Sequence, residues 1–356
     1  MGMTIAEKII ALAAGVPEVK AGDIHTVTLD RMMSNDGTTH LTVDMYNNKL
    51  KHPHIADAKK MVFIVDHNVP ADSPKTAASQ KKMRDFAREN NIDFWEGKGV
   101  CHQIMMEHYV CPGELIFGAD SHTCTYGALG AFGTGVGCTD LLYGMVTGTS
   151  WVLVPETVKF NLTGKLPENC SGKDVILTII GMIGVDGALY KSMEFTGEGV
   201  KNLSMDDRLC ICNMAIEAGA KNGIFPVDEV TKAYLAGRSQ RPPVFYEADP
   251  DAVYEKTIEI DLSALEPTVS YPHLPENTHV ASEGKDIKID QVVIGSCTNG
   301  RLEDMEAAYN ILKGKHIAKG VRGIIIPATM AVYKECILRG WTTAFIDAGC
   351  IVSTPT

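Results

Sequence analysis

The sequence predicts an α/β protein with parallel sheets, and three observations support this fold class. Short apolar runs that suit buried strands alternate with segments of helical periodicity. Polar residues directly follow several of these runs, as is typical of the carboxyl ends of strands in an open α/β sheet. Hydrophobic residues make up 45% of the 356 residues and charged residues 22%, a composition that excludes a mainly disordered chain.

The chain length predicts more than one domain, since 356 residues suit two or three. We place the first α/β domain at residues 1–155 and the second at residues 156–280. The second ends in an extended connection, because residues 241–280 contain six prolines and little periodicity. We place a third α/β domain at residues 281–356 and expect it to be incomplete at its C-terminus.

The first predicted domain begins with an amphipathic helix, in which Ile5, Ile9, Leu12 and Ala13 lie on one face. A buried strand that runs into a loop follows at 60–70, and a helix follows at 76–90. A second strand with a polar loop comes at 113–123, and a glycine-rich run comes at 127–137. The glycine-rich run lacks the G-x-G-x-x-G pattern of a dinucleotide loop. We therefore expect its glycines to permit tight backbone packing.

The remaining two domains continue the alternation of strands and helices. The second is predicted to contain a strand pair, a helix and one short strand: 154–166, 205–220 and 257–260. The third shows a strand–helix–strand–helix pattern: 287–295, 301–314, 321–327 and 330–340. Such a pattern implies a parallel sheet.

Charge and hydropathy argue against membrane and nucleic-acid functions. No apolar run approaches the roughly 18–20 residues that span a bilayer, and the N-terminus lacks the basic and apolar regions of a signal peptide. The excess of 44 Asp+Glu over 33 Lys+Arg gives a net charge of −11. Because phosphate binding requires clustered basic residues, we expect no nucleic-acid partner. Because we find neither a membrane-spanning run nor a signal peptide, we expect no membrane association and a cytoplasmic location.

Most of the ten cysteines are expected to be small buried hydrophobic residues, since a disulfide framework does not suit a long, non-secreted chain. Cys297 differs because it lies in a Gly-Ser-Cys-Thr-Asn-Gly loop between a strand and a helix. A helix N-terminus there is expected to lower the thiol pKa. The thiolate could be a nucleophile or a metal ligand, and spacing alone does not decide between them.

Three groups of polar residues directly follow apolar strands and are candidates for chemistry. They are Asp66 with His67, residues 120–122 and residues 296–299, and His102 adds a further imidazole. A carboxylate beside an imidazole fixes the tautomer and raises the basicity of the ring. These residues are therefore predicted proton-transfer groups at one edge of the sheet.

Five sequence blocks resemble the signature segments of the aconitase superfamily, in the same order along the chain. They are VDHNVP (65–70), GVCHQIMMEHY (99–109), FGADSHT (117–123), ICNMAIEAGAK (211–221) and GSCTNGRLEDMEAA (295–308). Within the superfamily, the chain is most similar to the shorter, archaeal-type branch of dehydratase large subunits. The resemblance implies three-layer α/β/α domains with mixed or parallel sheets around a central cleft.

The resemblance implies an iron–sulfur hydro-lyase that isomerises 2-isopropylmalate and 3-isopropylmalate by dehydration and rehydration, in leucine biosynthesis. The same chemistry on homocitrate/homoaconitate or on 2,3-dimethylmalate stays open, because a small-subunit loop largely sets the substrate in this family. An RNA-binding apo form is an alternative from another class, and the net charge of −11 argues against it. A zinc hydrolase is a third alternative, although no His-x-x-x-His spacing supports it.

The resemblance also implies roles for individual residues. Three imidazole–carboxylate pairs match catalytic positions: His67 with Asp66, which protonates the departing hydroxyl; His102 with Asp120, on the cluster side; and His122 with Glu217, which hydrogen-bonds the iron-bound water or hydroxyl. Ser121 matches a substrate-binding position, and Asn213 and Asn299 match asparagines near the cluster. Asn35 occupies a position where aconitases carry a substrate-contacting glutamine.

The implied cofactor of the complete protein is a [4Fe–4S] cluster held by three cysteines, of which Cys297 matches the first. The other two belong to a CGPC segment that we expect beyond residue 356, because the sequence ends in STPT. We therefore expect the cluster to be absent or incomplete in this chain and the chain alone to be inactive. The implied partner is a small subunit that carries a Ser-Arg catalytic loop, in a heterodimer or heterotetramer.

Overall fold

A five-stranded parallel sheet forms the centre of the first part of the chain, in a computed structural model that describes residues 2–51 and 53–356. The helices and strands here are α1 (Ile5–Ala14), β1 (Ile24–Thr28), β2 (Arg31–Asn35), α2 (Thr39–Lys49), β3 (Met61–Val65), α3 (Pro74–Asn90), β4 (Asp93–Glu96), α4 (Cys101–His108), β5 (Leu115–Gly118), β6 (Phe132–Gly135), α5 (Cys138–Thr147) and β7 (Thr149–Leu153). The sheet has the order β4-β3-β2-β5-β6, and β1 pairs separately with β7 in antiparallel fashion.

The strand order reverses at β2, which is the central strand of this sheet. Successive strands β3 and β4 extend the sheet on one side of β2, whereas β5 and β6 extend it on the other. In an open parallel sheet, the crevice at such a reversal lies outside the carboxyl ends of the strands and binds ligands. The residues that follow β2, β3 and β5 therefore share one crevice.

Local sequence explains the elements that border this crevice. All residues of β3 are buried, as expected of a parallel strand that helices cover on both faces. Ser73 caps α3 by accepting a hydrogen bond from the Thr76 backbone N–H at 3.2 Å. In α1, Ile5 and Ile9 are buried as predicted, but Leu12 is 54% exposed because the helix turns Ala6 and Ile10 toward the core instead.

A four-stranded parallel sheet organises the second part of the chain, with the order β10-β9-β8-β11. Its elements are β8 (Thr157–Thr163), α6 (Gly172–Ile183), β9 (Ser192–Thr196), α7 (Met205–Asn213), β10 (Asn222–Ile224), α8 (Glu229–Leu235), β11 (Lys256–Asp261), β12 (Thr268–Ser270) and β13 (Thr278–Val280). The predicted strand pair over 154–166 is wrong. That segment holds the single strand β8, whose partners β9 and β11 come from later in the chain.

The helix predicted over 205–220 is shorter than expected. The α-helix α7 ends at Asn213, and a 3₁₀ helix follows over Met214–Ala218. A 3₁₀ turn rotates successive side chains by a larger angle than an α-helix does. Glu217 therefore takes a direction that a continuous α-helix would not give it.

The third part is a three-stranded parallel sheet covered by helices, which confirms the predicted strand–helix pattern and its parallel sheet. Its elements are β14 (Gln291–Ile294), α9 (Leu302–Leu312), β15 (Arg322–Ile325), α10 (Met330–Leu338), α11 (Trp341–Asp347) and β16 (Ile351–Val352). With mixed pairing elsewhere, the α/β class predicted from the sequence is confirmed.

Three hydrophobic clusters hold these parts together. One covers the α1 and α3 face of the first sheet, one joins the opposite face of that sheet to the second part, and one lies inside the third part. One cluster contains residues from both sides of position 155, so hydrophobic packing does not separate the first two predicted domains. The boundaries at 155/156 and 280/281 stay predictions. In the part of the chain that the structure describes, we find no helix with the length and apolar character to cross a bilayer.

Backbone hydrogen bonds dock the third part against the first. The Val100 N–H donates to the Ala328 carbonyl, and the Met330 N–H donates to the Lys98 carbonyl, both at 2.9 Å. Val100 directly precedes α4. The docking therefore places the loop of Cys297 next to the helix that carries His102.

Candidate active site

Asp36 anchors the loop that follows β3. Its carboxylate accepts backbone N–H groups from Asp66 at 3.1 Å, His67 at 2.9 Å and Asn68 at 3.1 Å. Burial alone would raise the pKa of Asp36, but the N–H groups of His67 and Asp66 outweigh that effect and lower it. Asp36 thus stays ionised and fixes the backbone of the Asp66–His67 pair.

Asp66 and His67 form the first imidazole–carboxylate pair. Asp66 Oδ1 lies 2.8 Å from His67 Nδ1, and Asp66 Oδ2 accepts the Cys101 backbone N–H at 2.6 Å. Asp66 is 2% exposed, whereas the His67 side chain is 49% exposed. The hydrogen bond that His67 donates to Asp66 raises the pKa of His67 to about 9 against the opposing effect of burial. His67 is therefore a cation at neutral pH that presents Nε2 to the crevice.

Asp120 lies at the centre of the crevice, where β2 and β5 end. Its Oδ1 is 2.9 Å from His102 Nε2 and accepts the His122 backbone N–H at 2.9 Å. Its Oδ2 accepts the Asn35 amide at 2.8 Å and lies 3.8 Å from His67 Nε2. Burial opposes ionisation, but the hydrogen bond and charge of His102 hold the pKa of Asp120 well below its usual range. Asp120 is therefore a fixed anion that links the pairs.

His122 lies in a 3₁₀ helix over Ser121–Leu129 and forms the third pair with Glu217 in the 3₁₀ helix over Met214–Ala218. His122 Nε2 lies 3.3 Å from Glu217 Oε1, and its Nδ1 lies 3.3 Å from the Ser121 hydroxyl. The hydrogen bond from His122 lowers the pKa of Glu217. The Ser121 side chain is exposed at the crevice.

Gly127 allows the 3₁₀ helix that begins at Ser121 to pack closely against β10. A Cβ at Gly127 would lie 1.7 Å from the Gly223 carbonyl oxygen in β10, a distance that no side chain tolerates. The predicted role of the glycine-rich run in tight backbone packing is confirmed at this position. Close packing here brings residues 95 positions apart, His122 and Glu217, within contact.

The loop of Cys297 faces Asn213. The Cys297 thiol lies 3.6 Å from Asn213 Oδ1, and the Cys297 carbonyl accepts from Asn213 Nδ2 at 3.3 Å. Asn213 Nδ2 also donates to the Thr125 hydroxyl at 2.8 Å, and that hydroxyl donates to the His122 carbonyl at 2.6 Å. The structure thereby joins Cys297 to the segment of the third pair.

The pKa of the free Cys297 thiol is raised, so the expected lowering is wrong. Burial is the largest cause, and the negative charge of Asp120 adds to it; the Asn213 hydrogen bond and the charges of Arg301 and Lys173 oppose it. The helix α9 begins only at Leu302. Because a helix dipole acts mainly within the first turn, it does not reach the thiol.

Arg301 fastens the Cys297 loop to α4. Its guanidinium donates to the Thr298 carbonyl at 2.7 Å, to Gln103 Oε1 at 2.9 Å and to the Cys297 carbonyl at 3.4 Å. Arg301 is only 3% exposed. Since Gln103 is the neighbour of His102, this arginine couples the loop to the second imidazole.

Asn299 differs from the other predicted residues. Its amide nitrogen donates to Asp304 Oδ1 at 2.8 Å, and its oxygen accepts from the Thr298 hydroxyl at 2.9 Å. These partners belong to the loop and to α9, and the Asn299 oxygen also accepts from the Cys210 thiol in α7 at 3.6 Å. Asn299 therefore stabilises the start of α9, and the structure does not bring it into contact with the three pairs.

Sequence reasoning missed three residues of the site: Asp36, Arg301 and Tyr126, whose hydroxyl lies 3.3 Å from His102 Nδ1. Asp36 carried a usable signal, because it follows the buried strand β2 as Asp66 follows β3. Arg301 and Tyr126 carried none. Their functions depend on contacts with α4, which local spacing does not encode.

The comparison with known families defines the class of protein. The model of the aconitase family (aconitate hydratase) matches residues 7–356. The chain therefore belongs to the aconitase family, and the predicted family and hydro-lyase class are confirmed.

Individual relatives match over the whole chain. It is 53% identical over 360 residues to the 3-isopropylmalate dehydratase large subunit of Lachnoclostridium phytofermentans, a match covering 100% of the chain and 85% of the relative. It is 54% identical over 360 residues to the 3-isopropylmalate dehydratase large subunit of Helicobacter hepaticus, covering 100% and 86%. It is 51% identical over 361 residues to the 2,3-dimethylmalate dehydratase large subunit of Eubacterium barkeri, covering 100% and 86%.

Cys297 fits the iron–sulfur chemistry of this family. Thiolate sulfur is the usual protein ligand of such clusters, and the Cys297 sulfur lies beside polar groups of the crevice. Two other groups of potential ligands have donor atoms within 4.8 Å of one another: Cys101, His102 and Asp120, and Asp36, Asp66 and His67. Burial raises the pKa of Cys101 far above its usual value, and backbone N–H groups already occupy Asp36. Cys297 is partly exposed at the crevice, whereas Cys101 is fully buried, so Cys297 is the better suited of the two as a thiolate ligand.

Proposed function

We propose that the chain is the large subunit of a hydro-lyase that interconverts 2-isopropylmalate and 3-isopropylmalate by dehydration and rehydration. The observation that supports this most strongly is the convergence of three imidazole–carboxylate pairs and Cys297 at one crevice of the parallel sheet. The 53–54% identity to two large subunits of 3-isopropylmalate dehydratase supports the substrate. We further propose that the enzyme acts in the cytoplasm.

His67 is the proposed general acid. Asp66 holds its Nδ1, so that the proton on Nε2 is available to the departing hydroxyl oxygen of the substrate. Protonation of a poor leaving group by a positioned acid contributes on the order of 10²–10⁴-fold to the rate. Asp36 keeps the pair in place through its backbone hydrogen bonds.

The other two pairs orient the substrate and its departing oxygen. Asp120 keeps His102 in one tautomer, and Glu217 does the same for His122. Ser121 and Asn35 border the same crevice and are proposed to bind the carboxylates of a 2-hydroxy diacid. A carboxylate suits the N–H and O–H donors that these side chains offer.

Cys297 is the proposed ligand through which residues 1–356 hold a [4Fe–4S] cluster. When bound, the cluster supplies a Lewis-acidic iron that polarises the hydroxyl and a carboxylate of the substrate. Asn213 contacts the Cys297 sulfur and carbonyl and fixes the sulfur in the crevice. Two further thiolates are proposed to come from outside residues 1–356.

A small subunit is the proposed partner. Removal of the proton beside the substrate carboxylate requires a base, and the three pairs are assigned to the opposite step and to orientation. A serine with a neighbouring arginine on the small subunit would supply that base. The complete active site would then form at the interface of the two subunits.

A substrate panel tests this function. A large subunit that carries all three proposed cluster cysteines would be co-expressed with its small subunit, purified under anaerobic conditions and given 2-isopropylmalate, homocitrate and 2,3-dimethylmalate, with the His67→Asn complex as the inactive control. We expect the highest kcat/KM with 2-isopropylmalate. Absence of turnover of every diacid by a complex with full iron and sulfide content would contradict the proposal.

A second candidate substrate is 2,3-dimethylmalate, because the chain is also 51% identical to a 2,3-dimethylmalate dehydratase large subunit. Both substrates are branched 2-hydroxy diacids that need the same acid and the same oriented pairs. A higher kcat/KM with 2,3-dimethylmalate in the same panel would establish this alternative.

A further inference from the structure

A cavity of about 630 Å³ lies beside the proposed active site, and apart from Asp120 and Ser121 its lining residues have no part in the chemistry above. Its wall is formed by β5, β6, the start of α5, β7 and the segments around residues 190 and 216–221. Asp120 and Ser121 border it on one side. A space of this size holds a small organic molecule.

Most of the cavity wall is apolar. Phe117, Phe132, Val152 and Ile216 supply hydrophobic surface, and Trp151 adds an aromatic ring that is 58% exposed. Such a wall favours an apolar group over a hydrated polar one. The body of the ligand is therefore expected to be apolar.

A buried hydroxyl in the same wall also has no partner. Thr134 lies two residues after Phe132 in β6 and so faces the same side of the sheet. It is 6% exposed, and its hydroxyl makes no hydrogen bond with the described residues. Since buried polar groups normally find partners, this hydroxyl offers one to a ligand.

Two opposite charges, Lys221 and Asp140, belong to this wall. The Lys221 ammonium lies 4.5 Å from the centre of the Tyr190 ring, and no described carboxylate approaches it within 4.0 Å. Burial lowers the pKa of Lys221, and the charge of Asp140 opposes that shift. Asp140 is exposed in the first turn of α5. The two charges therefore influence each other without forming a direct ion pair within 4.0 Å.

Tyr190 is held in an unusual conformation in this wall. Its φ of +59° is in the left-handed region, which residues other than glycine rarely adopt. Its N–H donates to the Gly219 carbonyl at 3.0 Å. This contact fixes the Tyr190 backbone, and the ring lies against the Lys221 ammonium.

We propose that the cavity binds an apolar α-amino acid as a zwitterion. The carboxylate would pair with Lys221, the ammonium would pair with Asp140, and the side chain would lie against Phe117, Phe132 and Val152. A monocarboxylate would leave Asp140 without a cationic partner, and an amine would leave Lys221 without an anionic partner. A diacid such as the proposed substrate would bring a second negative charge toward Asp140 and Asp120.

The ligand would also act on the active-site loop. A Cβ at Gly135 would lie 2.7 Å from the Asp120 carbonyl oxygen and 2.9 Å from the Ser121 Cα, so β6 presses directly on this loop. A molecule that fills the cavity against β6 would therefore change how Asp120 and Ser121 are held. This regulatory effect rests on the proposed function, whereas the binding itself does not.

Three probes with the same branched side chain test the binding site on the full chain. L-leucine carries both charges, 4-methylpentanoate lacks the ammonium and 3-methylbutylamine lacks the carboxylate. Titration calorimetry and quenching of Trp151 fluorescence would follow binding, with Trp151→Phe to assign the signal. We expect saturable binding of L-leucine and about tenfold weaker binding of each singly charged probe, as expected for loss of one charged contact.

Two charge variants locate the ligand. Lys221→Met should weaken L-leucine binding about tenfold and abolish its advantage over the amine, and Asp140→Asn should abolish its advantage over the acid. Lys319→Met, in an exposed turn, is the matched control and should bind L-leucine as the unchanged chain does. Absence of saturable binding, equal binding of all three probes, or unchanged binding in both variants would overturn the proposal.

The effect on the reaction has a separate readout. Turnover by the reconstituted complex would be measured with and without L-leucine at saturation. A changed KM or kcat that disappears in Lys221→Met supports the regulatory effect. Saturable binding without any change in turnover would overturn regulation and leave the function under test by the substrate panel alone.

Discussion

At His67, a single buried carboxylate determines the protonation state of a half-exposed imidazole. Asp66 accepts a hydrogen bond from His67 Nδ1 at 2.8 Å, and three backbone N–H groups of the surrounding loop donate to Asp36. The pKa of His67 rises to about 9. A group with an ordinary pKa near 6.5 thereby becomes an acid that keeps its proton through neutral pH.

The pH dependence of turnover should reveal this acid. Because His67 must be protonated, we expect the rate to fall as the pH rises through about 9. Asp66→Asn should move that decrease toward pH 6.5 and lower the rate at pH 8 by about tenfold or more. The pH profile of the reconstituted complex measures this. A decrease at the same pH in Asp66→Asn would contradict the assignment.

The same pair links pH to stability. The pKa of His67 is higher in the folded chain than in the unfolded chain, so its pairing with Asp66 stabilises the fold fully below about pH 6.5. That contribution is lost as the pH rises through about 9. Urea unfolding between pH 6 and 10 should show a loss of stability that Asp66→Asn reduces, and NMR titration of His67 gives its pKa directly.

Arg301 should position the Cys297 loop without touching the substrate. Arg301→Met would leave Gln103 and two carbonyls without their buried donor, which should destabilise the fold by about 1–3 kcal/mol. We expect a lower kcat with little change in KM and faster alkylation of the Cys297 thiol in the cluster-free chain. Arg301→Lys should restore part of both. Unaltered alkylation in Arg301→Met would show that the loop does not depend on this residue.

Among the elements, the 3₁₀ helix that begins at Ser121 has the tightest steric requirement, because its Gly127 lies directly against β10. Gly127→Ala would force a Cβ against the Gly223 carbonyl, and overpacking of this kind destabilises by about 1–3 kcal/mol or more. The His122–Glu217 contact should lengthen as β10 moves away. Gly137→Ala is the matched control from the same glycine-rich run, because its φ of −73° suits alanine. Equal unfolding free energies of the two variants would contradict this account.

At the scale of the whole molecule, the proposed active site depends on three segments that are far apart in sequence. The first sheet provides the Asp66–His67 and His102–Asp120 pairs, the 3₁₀ turn after α7 provides Glu217, and the third part provides Cys297. Docking between Val100 and Ala328 and between Lys98 and Met330 brings the last of these into place. The site therefore exists only when all three parts are packed together.

Cluster binding tests this assembly. In a large subunit that carries all three proposed cluster cysteines, Cys297→Ala should abolish retention of iron and sulfide after anaerobic reconstitution of the complex, because thiolate ligation is lost. Cys336→Ala, which removes a buried cysteine from the core of the same part, should leave both contents unchanged. Iron and sulfide analysis with electron paramagnetic resonance provides the measurement. Full content in Cys297→Ala would count against its role as ligand.

The local sequence pattern predicted which helices and strands border the site more reliably than it predicted where each of them begins and ends. The strands before Asp66 and Asp120 and the helix after Cys297 are present, because buried apolar runs and helical periodicity determine them. The strand pair over 154–166 was wrong, since β8 takes its partners from distant segments. The predicted lowering of the Cys297 thiol pKa was also wrong, because this pKa depends on burial and on how far α9 lies from the sulfur.

The sequence by itself determined the fold class, the family, and which polar residues follow strands at the edge of the sheet. Only the tertiary structure decided that Asp36 anchors the first pair, that Arg301 ties the third part to α4, and that Lys221 and Asp140 share a cavity. The physical reason is that periodicity and residue type report how a segment folds and which side faces inward. The proximity of distant segments depends on strand order and packing, which the whole chain establishes together.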